Sequence, residues 1–230
     1  MIKLNRIIAL IMSYVIILNV AYSQSPASVN WSCSPSDRQN VSFMSGNLLG
    51  LAQTSSDGFV VRDYANGPGP DQRWWPFDGT AAVSWGNEAS VNTSRWIQFA
   101  VYPNSNFNFT LEELKIYLGA KGTGSINANL YYSKDTSFVN KVLINQQELA
   151  LVKDTDSLYV FSLNEEVRDS EILYIRIYPW YTGSPSTSKY VYLRDATVSG
   201  TTSEVTYPAS ATWKLTDPNS GGTGVVPSLE

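Results

Sequence analysis

Leu173-Tyr174-Ile175-Arg176-Ile177-Tyr178 reads as the two faces of one strand: Leu173, Ile175 and Ile177 alternate with Tyr174, Arg176 and Tyr178. A period of two puts the aliphatic side chains on one side of an extended chain and the aromatic-polar set on the other, whereas a helix would scatter them around its circumference. The same alternation recurs in both directions. Upstream, Ile97, Phe99 and Val101 alternate with Trp96, Gln98 and Ala100, and Leu114, Ile116 and Leu118 with Lys115 and Tyr117. Ala128, Leu130 and Tyr132 alternate with Asn129 and Tyr131, and downstream Val191 and Leu193 alternate with Tyr190, Tyr192 and Arg194. Strands with one oily and one mixed face belong to antiparallel sheets packed on one side.

The breaks between these segments are turn chemistry: Asn66-Gly67-Pro68-Gly69-Pro70, Tyr102-Pro103-Asn104, Gly119 to Ser125, and Thr182 to Ser188. One stretch, Asn145 to Val152, has a helix-like pattern that a short turn would also satisfy. Strands at this spacing without intervening helices predict an all-β fold, an antiparallel β-sandwich of jelly-roll, galactose-binding-like architecture.

Hydrophobic residues make up 43% of the 230 and charged residues 16%, enough to fill a core. The first 23 residues read as a signal peptide: Lys3 and Arg6, an apolar run from Ile7 to Val20, then Ala21-Tyr22-Ser23 with small residues where a signal peptidase cuts. The expected location is therefore extracellular or on the cell surface, with no membrane attachment after cleavage. The net charge of −4 becomes −6 without Lys3 and Arg6. No basic cluster appears, so nucleic acid is not an expected partner. Residues 24–202 are expected to form the sandwich. The remainder, 203–230, is rich in Thr, Ser, Pro and Gly. It carries Pro208-Ala209-Ser210-Ala211-Thr212-Trp213, which repeats the pattern of Pro26-Ala27-Ser28-Val29-Asn30-Trp31. This reads as a linker and the start of a second module within a larger multidomain chain, with chance recurrence as the rival. The module itself is expected to be monomeric.

Several chemistries are excluded. The chain has no histidine and one cysteine, Cys33. Ser-His-Asp and Cys-His nucleophiles, imidazole zinc sites and cysteine clusters are thereby removed. The glycines at 119, 122 and 124 lead into a strand rather than a helix, which fits a turn and not a phosphate cradle. Glu112-Glu113 and Glu165-Glu166 are sequence neighbours, which point to opposite faces of a strand, so neither pair alone can flank a glycosidic bond. They read as solvated loop acids. Asp154-Thr155-Asp156 fails as a calcium loop, because Leu158 and Tyr159 occupy positions that need a ligand and a glycine. No cofactor is required by any motif. A structural calcium held by loop carboxylates and carbonyls is compatible with a secreted sandwich, but no ligand set can be read.

The informative feature is the placing of aromatics beside arginines. A flat ring covers the C–H face of a sugar, and an arginine adds a bidentate contact to a uronate carboxylate. The candidate carbohydrate-binding residues are Arg73, Trp74, Trp75, Arg176, Trp180 and Tyr181. Tyr190, Tyr192 and Arg194 form a third cluster on one face of the last strand. Core packing competes with binding for every ring, and most strongly for Trp31, Trp85, Trp96 and Trp213. Adjacent strand residues cannot both face inward, so one of Trp74 and Trp75 should lie outside. Arg176 and Arg194 have a plain alternative as partners of acids on a wet face.

The segments Asp71 to Trp74, Arg95 to Val101, Leu130 to Ser133, Leu173 to Tyr181 and Lys189 to Leu193 resemble the accessory modules found ahead of the catalytic domain in secreted bacterial pectate lyases. The resemblance covers residues 27–202. It implies a non-catalytic, carbohydrate-binding module of a pectin-degrading enzyme, with pectin or a related plant cell-wall polysaccharide as partner. No catalytic residue is carried over, because nothing here resembles the coils of a β-helix lyase. The alternative is a ligand-free spacer or protein-interaction sandwich. An enzyme in its own right is the third reading.

Overall fold

The computed structural model describes residues 24–66, 70–122, 126–206, 214–216 and 223–225. The proposed signal segment and the Pro208–Trp213 repeat lie outside these residues. The chain order is β1 (Ser25–Trp31), β2 (Phe43–Ser45), β3 (Leu48–Gly50), β4 (Thr54–Ser55), β5 (Phe59–Asn66), β6 (Pro70–Pro76), β7 (Ile97–Pro103) and β8 (Phe107–Lys121). There follow β9 (Ile126–Ser133), β10 (Val142–Leu143), β11 (Leu149–Ala150), β12 (Asp156–Val167), β13 (Leu173–Tyr181), β14 (Tyr190–Glu204), β15 (Lys214–Thr216) and β16 (Thr223–Val225). Among the described residues there is no helix. The stretch from Asn145 to Val152 with its helix-like pattern holds β11 instead, because Leu149 and Ala150 pair with Ala128 and Asn127 of β9.

The strands form two antiparallel sheets. The first runs β12-β8-β14-β1-β2. β6 also pairs with β14, at Val191 to Leu193, while β1 occupies the same flank of β14 further along, at Ala196 to Thr202. The second runs β10-β9-β13-β7-β3, with β11 beside β9 and β4 beside β7. From β7 onward the long strands alternate between sheets: β7 lies in the second, β8 in the first, β9 in the second, β12 in the first, β13 in the second and β14 in the first. The order β1-β14-β8-β12 facing β7-β13-β9-β10 is that of a jelly roll. The fold is therefore the β-sandwich that the alternation predicts. Among the described residues β15 and β16 pair with each other.

The inward faces are those read from the sequence. Ile97, Phe99, Val101, Leu114, Ile116, Leu118, Leu130, Leu173, Ile175, Ile177, Val191 and Leu193 are all buried in one core. Each such side chain contributes about 1.5–3 kcal/mol on removal from water. Trp31 and Phe99 meet across the two sheets at 4.9 Å between ring centres. Trp31 Nε1 donates to Leu51 O at 2.9 Å, so its polar atom is satisfied inside. Nearer β6, Phe59 packs edge-on against both Trp74 and Trp85.

Two sequence readings are corrected here. The paired glutamates sit on strands β8 and β12, not in loops, and all four have partners: Glu113 is ion-paired with Lys115, Glu165 with Lys134 and Glu166 with Arg168, and Glu112 accepts a hydrogen bond from Thr201 at 2.9 Å. Gly119 belongs to β8 rather than to the turn. An added Cβ there would lie 1.8 Å from Thr155 O, so only glycine lets the chain entering β12 approach this closely.

Candidate functional site

Alternation and cross-strand register together decide which side chains share an outer surface. On the first sheet, Tyr192 stands opposite Arg73 of β6 and Gly119 of β8, and Tyr190 opposite Lys121. Trp74 pairs with Val191, whose side chain faces the core, so Trp74 faces in and Arg73 and Trp75 face out. Trp74 is fully buried, and its indole N–H donates to Gln72 Oε1 at 2.9 Å.

The outward residues form one cluster. Trp75 and Tyr190 lie 4.3 Å apart between ring centres. The Arg73 guanidinium sits 5.2 Å from the Tyr190 ring centre and 5.9 Å from that of Tyr192. Tyr190 packs edge-on against Tyr192 at 5.1 Å. Beyond Gly119, Arg194 lies 4.2 Å from the Tyr117 ring centre. Arg194 Nε is 2.8 Å from Asp156 Oδ2, an ion pair without hydrogen-bond alignment. Lys121 Nζ is paired with Asp154 at 2.8 Å, which raises the lysine above its ordinary pKa and lowers the aspartate. Burial, then the hydroxyl of Tyr190, push the Tyr192 phenol well above its ordinary range, so it stays neutral.

Arg73 differs from the other cations here. Its Nε is buried without a hydrogen-bond partner. It has no carboxylate partner among the described residues, and its charge repels that of Lys121. A partly exposed guanidinium stacked on aromatic rings, without an acid partner among the described residues and with a second cation close by, is suited to receive a carboxylate. The surface continues across the sheet as rows of polar side chains, Asn30, Thr197 and Lys115 in one and Ser28, Ser199 and Glu113 in the next. Asn30 Nδ2 donates to Asp195 Oδ1 at 3.0 Å and to Thr197 Oγ1 at 2.9 Å.

The second sheet treats its aromatic-arginine string differently. Arg176, Tyr178 and Trp180 are on the outward side of β13, yet all three are buried, Trp180 to 1% exposure. Residues 134–145 close over part of this face. Arg176 is held between Trp96 at 4.0 Å and Phe138 at 3.8 Å from the respective ring centres. It donates from Nε to Gln98 Oε1 at 2.7 Å and from Nη2 to Thr136 O at 3.0 Å. Phe138 has φ of +56°, rare for a large side chain and held here by the packing of its ring. Asn145, buried, accepts from Leu130 N at 2.7 Å and donates to Asn129 Oδ1 at 2.8 Å.

Four of the six candidate residues are thus corrected in position. Trp74 and Tyr181 lie in the core, Trp180 is sealed outside it, and Arg176 is a buried clamp. None presents a free face to a ligand. Tyr181 is fixed by its backbone: Glu88 accepts from Tyr181 N at 3.2 Å and donates its own N–H to Tyr181 O at 2.8 Å. The Glu88 carboxylate is also bound by Arg95 at 2.6 Å. Arg73 and Trp75 are brought together, and they join Tyr190, Tyr192, Arg194 and Tyr117. Arg194 pairs with an acid as its plain alternative requires; among the described residues Arg176 pairs with none. Trp31 and Trp85 are core residues, Trp96 is not, and Trp213 lies outside the described residues. Tyr117 and Lys121 were missed, although Tyr117 stands in the outward register of β8 and alternation could have placed it there.

Among the described residues no group of three or more His, Cys, Asp or Glu side chains converges to hold a metal ion. None of these residues forms a helix long and apolar enough to cross a membrane.

The fold and the exposed cluster define a jelly-roll sandwich with an aromatic-cationic outer surface. No protein-family model and no curated protein sequence matches the chain. Among solved structures, a family two carbohydrate esterase from Cellvibrio japonicus is similar at 7% identity and TM-score 0.28, over 70% of this chain and 36% of that one. The enzymatically active domain of bacteriophage CBA120 tailspike protein 4 gives 12% identity and TM-score 0.30, over 74% and 21%. The CBM22-1–GH10 modules of Clostridium thermocellum xylanase 10B give 13% identity and TM-score 0.27, over 69% and 28%. The chain spans only a minor part of each of these proteins, and likeness at this level bears on neither ligand nor activity.

Proposed function

We propose that residues 24–202 form a non-catalytic carbohydrate-binding module that holds an acidic polysaccharide on the outer face of the first sheet. In this reading it is the accessory part of a secreted pectin-degrading enzyme of the pectate lyase kind, and it raises the effective concentration of substrate at a linked catalytic domain. The observation that carries the proposal is Arg73, stacked on Tyr190 beside Trp75 and lacking an acid partner among the described residues. Its guanidinium would take the uronate carboxylate while Trp75 covers a C–H face. With an overall charge of −4, or −6 without Lys3 and Arg6, the chain exerts no general attraction on a polyanion, so capture depends on this local contact.

The test is titration calorimetry of the secreted chain with oligogalacturonate. Arg73→Ala should weaken binding by about tenfold or more, the loss of a charged hydrogen-bonding contact. Equal affinity in the variant would remove Arg73 and with it this site. The second reading, a ligand-free spacer, is favoured by the sealing of Trp74, Trp180 and Tyr181 and the structural use of Arg176. A folded chain that binds neither acidic nor neutral oligosaccharides would select it.

A further inference from the structure

A second surface feature stands apart from the Arg73 cluster. Where β4 and β7 meet the end of β6, an open depression of about 670 Å³ is lined by Trp96, Phe77, Asp57, Asp78 and Ser94, among others. Its size falls within the range of small-ligand clefts, about 300–1,000 Å³. Trp96 and Phe77 are both partly exposed, so the depression has aromatic surface as well as a polar rim. The Arg176 guanidinium, 4.0 Å from the Trp96 ring centre, fixes the indole in place. A ring held in this way loses little freedom on binding.

The rim sets the class of ligand. Asp78 is committed to its own turn: its Oδ1 accepts from the N–H groups of Ala81 and Thr80, which hold its carboxyl below the usual range. Asp57 is exposed, and no described residue bonds to its carboxylate. Two anionic side chains at one rim repel a uronate, yet a carboxylate is a strong acceptor for sugar hydroxyls. We infer that this depression is a separate binding site for an uncharged saccharide, with the sugar's C–H face against Trp96 and a hydroxyl donated to Asp57. The module would then grip an acidic chain and a neutral chain at different places.

The experiment uses the secreted chain labelled with ¹⁵N-tryptophan and a set of neutral probes: xylohexaose, cellohexaose, mannohexaose and a galactan-derived hexasaccharide. At least one should bind and shift the Trp96 indole resonance, assigned with Trp96→Phe. Asp57→Ala should weaken that binding about tenfold, with thermal stability and oligogalacturonate binding unchanged. Arg73→Ala should leave neutral binding intact, which separates this site from the acidic one. Failure of all four probes overturns the inference. So does binding that leaves the Trp96 resonance unmoved or Asp57→Ala unaffected.

Discussion

Replacing Arg176 with alanine should cost the sandwich stability rather than a ligand. The guanidinium makes two well-formed hydrogen bonds, to Gln98 Oε1 and Thr136 O, and a long one of 3.4 Å to the Tyr178 hydroxyl. A hydrogen bond from a charged donor contributes about 1.5–3 kcal/mol, and a desolvated cation-ring contact about 2 kcal/mol. One side chain makes all of these, so they do not add, and Phe138 can settle partway into the gap. The net loss is about 3 kcal/mol. For a domain of this size that lowers Tm by about 6–12 °C. Urea unfolding of the secreted chain should show the loss as a lower midpoint with an unchanged slope. Arg176→Lys should fall between the two, because lysine keeps the charge but cannot reach Gln98 and Thr136 with one planar fork. A Tm for Arg176→Ala within about 2 °C of the unsubstituted chain would refute the clamp. If that variant also lost oligogalacturonate binding, Arg176 would be a ligand contact after all.

Two further outcomes follow from the same geometry. Trp180→Ala, buried to 1% exposure, should destabilise the fold by about 3–5 kcal/mol in the same urea titration; a change under about 1 kcal/mol would mean that the site collapses freely or that the ring is not sealed. Burial, then the hydrogen bond to Glu165, raises the Tyr132 phenol to about 12, above the ordinary value near 10. The stability its neutral form contributes is therefore complete below about pH 10 and is lost as the pH rises toward about 12, and Tyr132→Phe should remove one late phenolate from the ultraviolet titration; an identical titration in the variant would contradict the assignment.

The inward half of the fold was legible because burial on one side of a strand leaves a local signature. Ile97-Phe99-Val101 and Leu173-Ile175-Ile177 each state their own facing, and antiparallel pairing carries the pattern from strand to strand. The outward half was legible only as far as facing. Arg176 and Trp180 point away from the core, as the alternation of β13 says, and were for that reason read as available. What closes over Arg176 is non-periodic: a turn that puts Thr136 O and the ring of Phe138, at positive φ, against its guanidinium. Irregular segments carry no period, so the sequence offers no rule for which strand they will cover. Trp96 was misread for the converse reason. An aromatic at a strand entry is most often core, but its place one residue before the inward Ile97 sets it outside, against Arg176.

The two outer faces differ in how their cations are satisfied. On the second sheet the arginine of the aromatic string is satisfied internally, by an amide, a carbonyl and two rings, and it holds the cover down. On the first sheet Lys115, Lys121 and Arg194 each have an acid within reach, whereas Arg73 has none among the described residues and its Nε makes no hydrogen bond. A negatively charged protein that recognises a polyanion cannot rely on its overall field, since that field repels the ligand at distances up to about a Debye length, ~10 Å at 0.1 M salt. Specific recognition then requires a cation that sits on aromatic surface, keeps no acid of its own and is exposed enough for contact. Arg73, between Tyr190, Tyr192 and the neighbouring Trp75, meets those three conditions together. Arg176, although it lies in the more conspicuous sequence motif, meets only the first two.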